Sequence, residues 1–220
     1  MSIEFKKSVQ LCRFLDPTRN FEPNSLPLEI RVDPLTKHTS IISTSRYRKL
    51  DKPELSALIE KSPKATCPFC PENVERVTPK FPPELFPEGR LHLGDTYVFP
   101  NLMPYMPYSA ITVLSPEHFV DLDGFTEEVI TNGFLASQVY LKRVLECDTD
   151  AKYCTINWNH LPPSASSIIH PHLQVFAGSI PTSYHGELLD ASRQYYNQNG
   201  TNFWSDFIVK EKELGERYIG

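Results

Sequence analysis

No apolar run in the chain approaches membrane-spanning length, and the opening residues MSIEFKKSVQLC lack the continuous apolar core that a signal peptide needs. Cysteine is scarce and odd in number: five, at positions 12, 67, 70, 147 and 154, with one close pair. Such a set does not make a secreted disulfide framework, so a cytoplasmic location is expected. Positive charge is also short. Lys and Arg total 22 against 27 Asp and Glu, for a net charge of −5, and basic residues cluster only locally, as in RYRK at 46–49. With no basic stripe to neutralise phosphates, a general nucleic-acid binder is excluded, and a membrane is not an expected partner. There is no internal repeat and no low-complexity segment.

What the chain has in quantity is proline, 20 residues in 220, which predicts long stiff connections rather than a helix bundle. Residues 1–29, with prolines at 17, 23 and 27, are expected to form an irregular N-terminal arm. The stretch 28–45 suggests a hairpin turning at Asp33-Pro34 and returning over Thr39 to Thr44. A short helix is expected within 51–63, with Asp51 as its cap. Residues 63–90 hold seven prolines and Cys67/Cys70 and read as the longest structureless segment. Strands are expected at 95–101, 109–115 and 151–159. The clearest helix spans about 126–146, capped by Thr126, with Glu127 and Glu128 in its positive first turn and Ile130, Phe134, Leu141 and Leu145 as its apolar stripe. Residues 183–199 and 203–213 also look helical. Strands and helices without regular βα alternation predict an α+β fold, an antiparallel sheet with helices packed on one side.

Two constellations carry chemistry. Cys67-Pro-Phe-Cys70 has the bite of a zinc knuckle stiffened by Pro68. A thioredoxin-like redox pair competes, but it wants a strand before and a helix after, whereas this pair lies among prolines. A knuckle needs two further ligands, for which His118 and either His170 or His172 are candidates. The second constellation is SSIIHPHLQVFAG, residues 166–178. Read as a strand, it puts His170, His172 and Gln174 on one face. If both histidines bound metal, this would be an open catalytic centre. If one binds metal, the other is free to attack a phosphorus centre, provided that one ring nitrogen donates its proton to an acceptor and the other keeps its lone pair. Gln174, Ser167 and Asn159 are neutral donors suited to developing phosphate charge.

Five collinear segments then resemble the galactose-1-phosphate uridylyltransferase family, the transferase branch of the histidine-triad superfamily. They are RVDPLTKHTSIISTSR, CPFCPENVERVTP, TYVFPN, VLSPEH and NHLPPSASSIIHPHLQ. The resemblance implies a histidine-triad-like nucleotidyltransferase domain with a zinc knuckle over 30–182, and a helical segment, 183–220, leading to a second half absent from this chain. It implies structural zinc on Cys67, Cys70, His118 and His170, and His172 as the nucleophile that becomes nucleotidylated. Arg46, Asn101, Asn159, Ser167 and Gln174 would contact nucleotide and phosphates. The implied activity moves a UMP group between a UDP-hexose and a hexose 1-phosphate, with a nucleotide sugar and a sugar 1-phosphate as partners and a homodimer as the assembly. Glutamine at 174, where hydrolase branches usually carry a third histidine, favours transfer. Four positions depart from the pattern. Leu161 and Ala165 stand where glycine is common, Leu173 where the uridylyltransferases often have glycine, and Leu102 where aspartate often follows the asparagine. These changes keep an ADP-sugar phosphorylase, acting on adenylyl groups, as an alternative. A non-catalytic zinc-stabilised nucleotide-binding module is the alternative of another class. Some family members have a second metal site, near whose first ligand position this chain offers Glu187.

Overall fold

The computed structural model describes residues 3–43 and 54–219, and among these it forms two compact units. The first unites the N-terminal residues to Lys52 with Pro181–Gly220, and the second is Pro53–Ile180.

In the first unit the expected irregular arm is instead a long hairpin, which is a correction. Strands β1 (Lys6–Asp16) and β2 (Glu22–Val32) pair antiparallel along their whole length, and β3 (Thr39–Ser43) pairs with β2 from Leu28 to Val32. Proline misled here because it was counted as a strand breaker without regard to place. Pro17 occupies the turn between β1 and β2. Pro23 and Pro27 lie an even number of residues apart, so both nitrogens face the same edge, on a stretch that β3 does not reach. The turn at Asp33-Pro34 forms as expected, with the Asp33 carboxylate accepting from the Leu35 and Thr36 amides at 2.9 and 2.7 Å. Helices α4 (Ser183–Asn199) and α5 (Phe203–Leu214) complete this unit, around a small core of Ile3, Leu35 and Phe203. The hairpin therefore belongs with the C-terminal helices, and the sheet domain is narrower than the expected 30–182.

The second unit is a five-stranded antiparallel sheet in the order β4-β5-β6-β8-β7. Its strands are β4 (Leu91–Leu93), β5 (Thr96–Pro100), β6 (Tyr108–Val113), β7 (Tyr153–Asn157) and β8 (His172–Gly178). Helix α3 (Glu127–Cys147) packs across one face, and the Thr126 hydroxyl caps it by accepting from the Val129 amide. Its buried stripe is Gly133, Ala136, Ser137, Tyr140, Leu141 and Val144; Phe134 turns outward. The first part of the stripe, Gly133, Ala136 and Ser137, is small because the helix comes close to its neighbours there. A methyl group on Gly133 would meet Leu114 at 2.2 Å.

Pleating divides the sheet residues between its faces. Val98, Ala110, Val175 and Ala177 bury themselves against α3, while Phe99, Ile111 and Val113 face a second cluster with Phe69, Val74 and the two knuckle cysteines. In the chain, α1 (Ser56–Glu60) and α2 (Pro71–Val77) precede β4. The span 63–90, expected to lack structure, thus holds a 3-10 turn at Lys64–Thr66 and one short α-helix, while Asp51 and Arg46 lie outside the described residues. No helix among the described residues is long and apolar enough to cross a membrane.

Candidate metal and nucleophile site

Cys67 ends a single 3-10 turn, and Cys70 is the residue from which α2 starts, with Pro71 at the first helical position. Asn73 staples this knuckle: its amide nitrogen donates to the carbonyls of Ala65 and Cys67 at 3.1 and 2.8 Å. The buried Arg90 pins the far end of α2 by donating to the hydroxyl and carbonyl of Thr78 at 3.1 and 2.6 Å. Neither residue was assigned a role from sequence, although Asn73 lies only three residues past Cys70.

His118, from the segment after β6, and His170, just before β8, turn their rings toward the two sulfurs. Cys70 Sγ lies 3.3 Å from His118 Nδ1 and 3.6 Å from His170 Nδ1, and Cys67 Sγ lies 3.7 Å from His170 Nδ1. Tetrahedral zinc with ordinary bond lengths separates a sulfur from a nitrogen ligand by about 3.6 Å. All four ligand atoms lie within 4.8 Å of one another, and among the described residues no other group of three or more such side chains converges in this way. Both histidines turn Nε2 to a backbone carbonyl, His170 to Ser115 at 2.8 Å and His118 to Ser62. An Nε2–H held by a carbonyl leaves Nδ1 as the lone-pair nitrogen, the tautomer that a ligand requires. Burial holds His170 neutral, with its pKa pushed down to about 4, while burial and then the charge of Cys67 push the Cys70 thiol upward. Two buried sulfurs side by side are costly as thiolates unless a cation sits between them, so the donor set fits zinc.

Strand β8 begins at His172, so His170 is not on it, and the alternation expected over 166–178 starts only there. His172 and Gln174 do share a face. They stand opposite Val113 and Ile111 of β6, and Gln174 stands also opposite Asn157 of β7. The His172 ring is buried, and its Nδ1–H donates to the His170 carbonyl at 2.8 Å. Nε2 then carries the lone pair and has no protein partner among the described residues. Burial lowers the His172 pKa, opposed in part by that same hydrogen bond, so the neutral ring is favoured.

Phe69, between the two cysteines, was also missed. Its ring meets His172 edge-on at 5.1 Å and packs on Phe99 at 5.5 Å. An apolar residue inside a C-x-x-C motif carries no signal of its own; only the fold aims it at the second histidine.

The remaining candidates are more dispersed. Asn101 continues the β5–β6 ladder by donating its amide to the Ser109 carbonyl, and its side-chain oxygen accepts from the Met103 amide. Asn159 lies two residues past β7, half-buried. Ser167 is exposed, while its neighbour Ser166 is buried and donates to the Ile168 carbonyl at 2.7 Å. Arg46 is outside the described residues. Glu187, in the other unit, pairs with His38 at 2.6 Å. In the loop before the histidines, Leu161 and Ala165 hold φ of 65° and 67°, the left-handed region that glycine adopts freely. Of the three positions marked as departures from a glycine pattern, these two need glycine's backbone, and Leu173 does not.

No family model matches the chain. An uncharacterized protein of Archaeoglobus fulgidus is 36% identical over 222 residues, covering 99% of this chain and 63% of that protein, so the chain spans under two thirds of that relative's length. The fold is shared with an ADP-glucose phosphorylase from Arabidopsis thaliana solved with bound ADP-glucose, at a TM-score of 0.57 and 20% identity, covering 79% of this chain and 56% of the other. It is shared also with a uridylyltransferase, at a TM-score of 0.51 and 20% identity over 83% and 56% of the two chains. A GalT-like protein of Arabidopsis thaliana aligns at 0.50 and 18% over 62% and 48%.

Proposed function

We propose that the chain carries the nucleotidylation centre of a nucleotidyltransferase that moves a UMP group between a UDP-hexose and a hexose 1-phosphate. The observation that carries this is the His172 ring, whose Nδ1–H is committed to the His170 carbonyl while Nε2 faces no protein partner. A neutral imidazole held in this tautomer is a nucleophile ready for phosphorus.

In the first step His172 Nε2 attacks the α-phosphorus of the nucleotide sugar. A P–N bond forms, the P–O bond to the β-phosphate breaks, and hexose 1-phosphate leaves. In the second step a phosphate oxygen of the acceptor sugar 1-phosphate attacks the same phosphorus and the P–N bond breaks, which frees His172. Gln174, one pleat along from His172, donates to a phosphate oxygen without adding charge; Ser167, Asn101, Asn159 and Arg46 hold the rest of the nucleotide. Cys67, Cys70, His118 and His170 would hold zinc, which with four protein ligands has no open position and serves as a structural anchor. His170 would then join anchor and nucleophile, since its ring would hold the metal while its carbonyl orients His172. A cytoplasmic homodimer belongs to the same proposal.

An adenylyl donor is the second reading, favoured by the likeness to a fold solved with ADP-glucose and by Leu102, exposed where the uridylyltransferases often have aspartate. Intact-protein mass after mixing with UDP-glucose, and separately with ADP-glucose, tests both. The expected result is an added nucleotidyl mass on the wild type that His172→Gln does not acquire. No adduct with either donor, with nucleotide binding that survives His172→Gln, would overturn the transferase in favour of a zinc-stabilised nucleotide-binding module.

A further inference from the structure

The register of the five-stranded sheet sets one more polar side chain near the nucleophile. Asn157, the last residue of β7, stands opposite Gln174 of β8. Gln174 stands opposite Ile111 of β6, and Ile111 opposite Phe99 of β5. Opposite residues of an antiparallel sheet point to the same face, so these four form one row on the face that carries His172. The row changes character along its length. Phe99 and Ile111 are buried with Phe69 and the knuckle cysteines, whereas Gln174 is half-buried and Asn157 exposed. Asparagine is depleted in strands, so its place here has a reason other than propensity. Side chains of such a pair lie about 4.5–5.5 Å apart at Cβ, close enough to bond one another. Yet among the described residues neither the Asn157 nor the Gln174 amide has a hydrogen-bond partner.

The order of the strands gives the direction of the substrate. On the reading of the site proposed above, on which this inference rests, the α-phosphorus sits at His172 on β8, with Gln174 on a phosphate oxygen. The nucleoside contact Asn101 continues the β5–β6 ladder, to one side of β8 in the order β4-β5-β6-β8-β7. Nucleoside and leaving group hang from different oxygens of the α-phosphorus. A nucleoside laid toward β5 leaves the β7 side to the sugar phosphate. β7 is the last strand of its sheet, and Asn157 is its strand residue nearest His172 on this face, a diagonal neighbour at about 7–8 Å. Asn159, past the end of β7, is left to the phosphate. The amide itself selects the part of the leaving group. A phosphate oxygen only accepts, whereas a sugar hydroxyl donates and accepts, matching the NH2 and C=O of a carboxamide together.

We propose that Asn157 holds a ring hydroxyl of the hexose 1-phosphate and so helps to set which sugar is accepted. It serves both steps, because the acceptor's phosphate oxygen attacks from the side where the first one left.

Calorimetry on the full chain carrying His172→Gln, which cannot form the adduct, compares UDP-glucose with UDP. ADP-glucose and ADP are run alongside, so that the comparison stands for either base. The hexose is expected to add affinity. Asn157→Leu keeps the size of the side chain without its polar atoms. It is expected to weaken the nucleotide sugar about two- to tenfold and to leave the diphosphate within about twofold. Equal losses for both would put Asn157 on a phosphate or in the fold and overturn the proposal. No loss for either, or a hexose that adds no affinity, would overturn it as well. Should Asn157→Leu fail to fold, Asn157→Val gives the same comparison. Adduct formation on the chain with His172 intact is read separately. An adduct without selective loss keeps transfer at His172 and overturns Asn157 alone, whereas selective loss without an adduct keeps Asn157 and overturns transfer. A chain that binds none of the four ligands overturns both.

Discussion

Replacing Phe69 with leucine keeps most of the buried volume between the knuckle cysteines and removes only the ring. Its magnitude follows from two close ring contacts, edge-on to His172 at 5.1 Å and tilted to Phe99 at 5.5 Å, in a residue that is only 8% exposed. Aromatic pairs of this kind contribute about 0.5–1.5 kcal/mol each beyond area burial, so the variant should lose about 2 kcal/mol. In a chain of this size that lowers the melting midpoint by about 4–8 °C. The four candidate metal ligands are untouched, so the zinc per chain expected on the proposed reading should match the wild type by elemental analysis. The His172 ring, no longer braced from that side, should react more slowly with its nucleotide donor, by about tenfold or more, because small misplacements of a reacting group cost rate steeply. Thermal melting, metal content and the rate of adduct formation on the same preparation give the three numbers. A variant that melts within about 1 °C of the wild type and reacts at the same rate would refute the idea that Phe69 braces the nucleophile. One that loses zinc would show instead that the ring holds the knuckle.

Two further outcomes follow from the loop before the histidines. His160 packs edge-on against Phe125 and Trp158, its buried Nε2 has no hydrogen-bond partner among the described residues, and burial lowers its pKa below 6.5. The neutral ring is favoured in the fold, so below pH 6.5 the unfolded state takes up the proton first. Stability at this site is therefore full above pH 6.5 and falls as pH drops from there toward the lower folded pKa. Trp158 emission in a Trp204→Phe background should follow that window, and a His160→Phe variant that keeps the same pH dependence would assign it elsewhere. Ala165→Gly relieves a left-handed alanine, which costs about 1–2 kcal/mol, against an unfolded-state entropy cost of about 0.4–1 kcal/mol. Since Ala165 is exposed and loses no packing, the midpoint should rise by about 1–4 °C. Leu161→Gly should show no such gain, because the same relief is offset by the burial of the leucine side chain. Equal shifts in both variants would contradict this.

Much of the secondary structure was legible because its signals are local. Thr126 followed by two glutamates announced α3, and the alternation in TYVFP and SAITV announced β5 and β6. What misled was proline counted without its place. At the turn and on the unpaired side of β2 it is compatible with strands, and whether a strand side is paired depends on how far β3 reaches. The α3 stripe was misread in a similar way. Phe134 and Leu145 fit a helical period, but the close approach of α3 to the sheet selects Gly133, Ala136 and Ser137 for the buried side.

The knuckle's chemistry was written in the sequence, since Cys-Pro-Phe-Cys and His-Pro-His-Leu-Gln carry their donors at spacings that the local backbone enforces. Spacing alone left the choice between His170 and His172 open, and only the family resemblance assigned it, because it depends on where the chain leaves its loop and enters β8. A start two residues earlier or later would put one ring where the other stands. Only the tertiary structure brings His118 and His170 to the same pair of sulfurs, across separations of 48 and 100 residues from Cys70. Sequence by itself determined which atoms can bind metal and attack phosphorus. Packing and backbone carbonyls decided which atom is available for which task, because a histidine's role depends on which of its two nitrogens is already engaged.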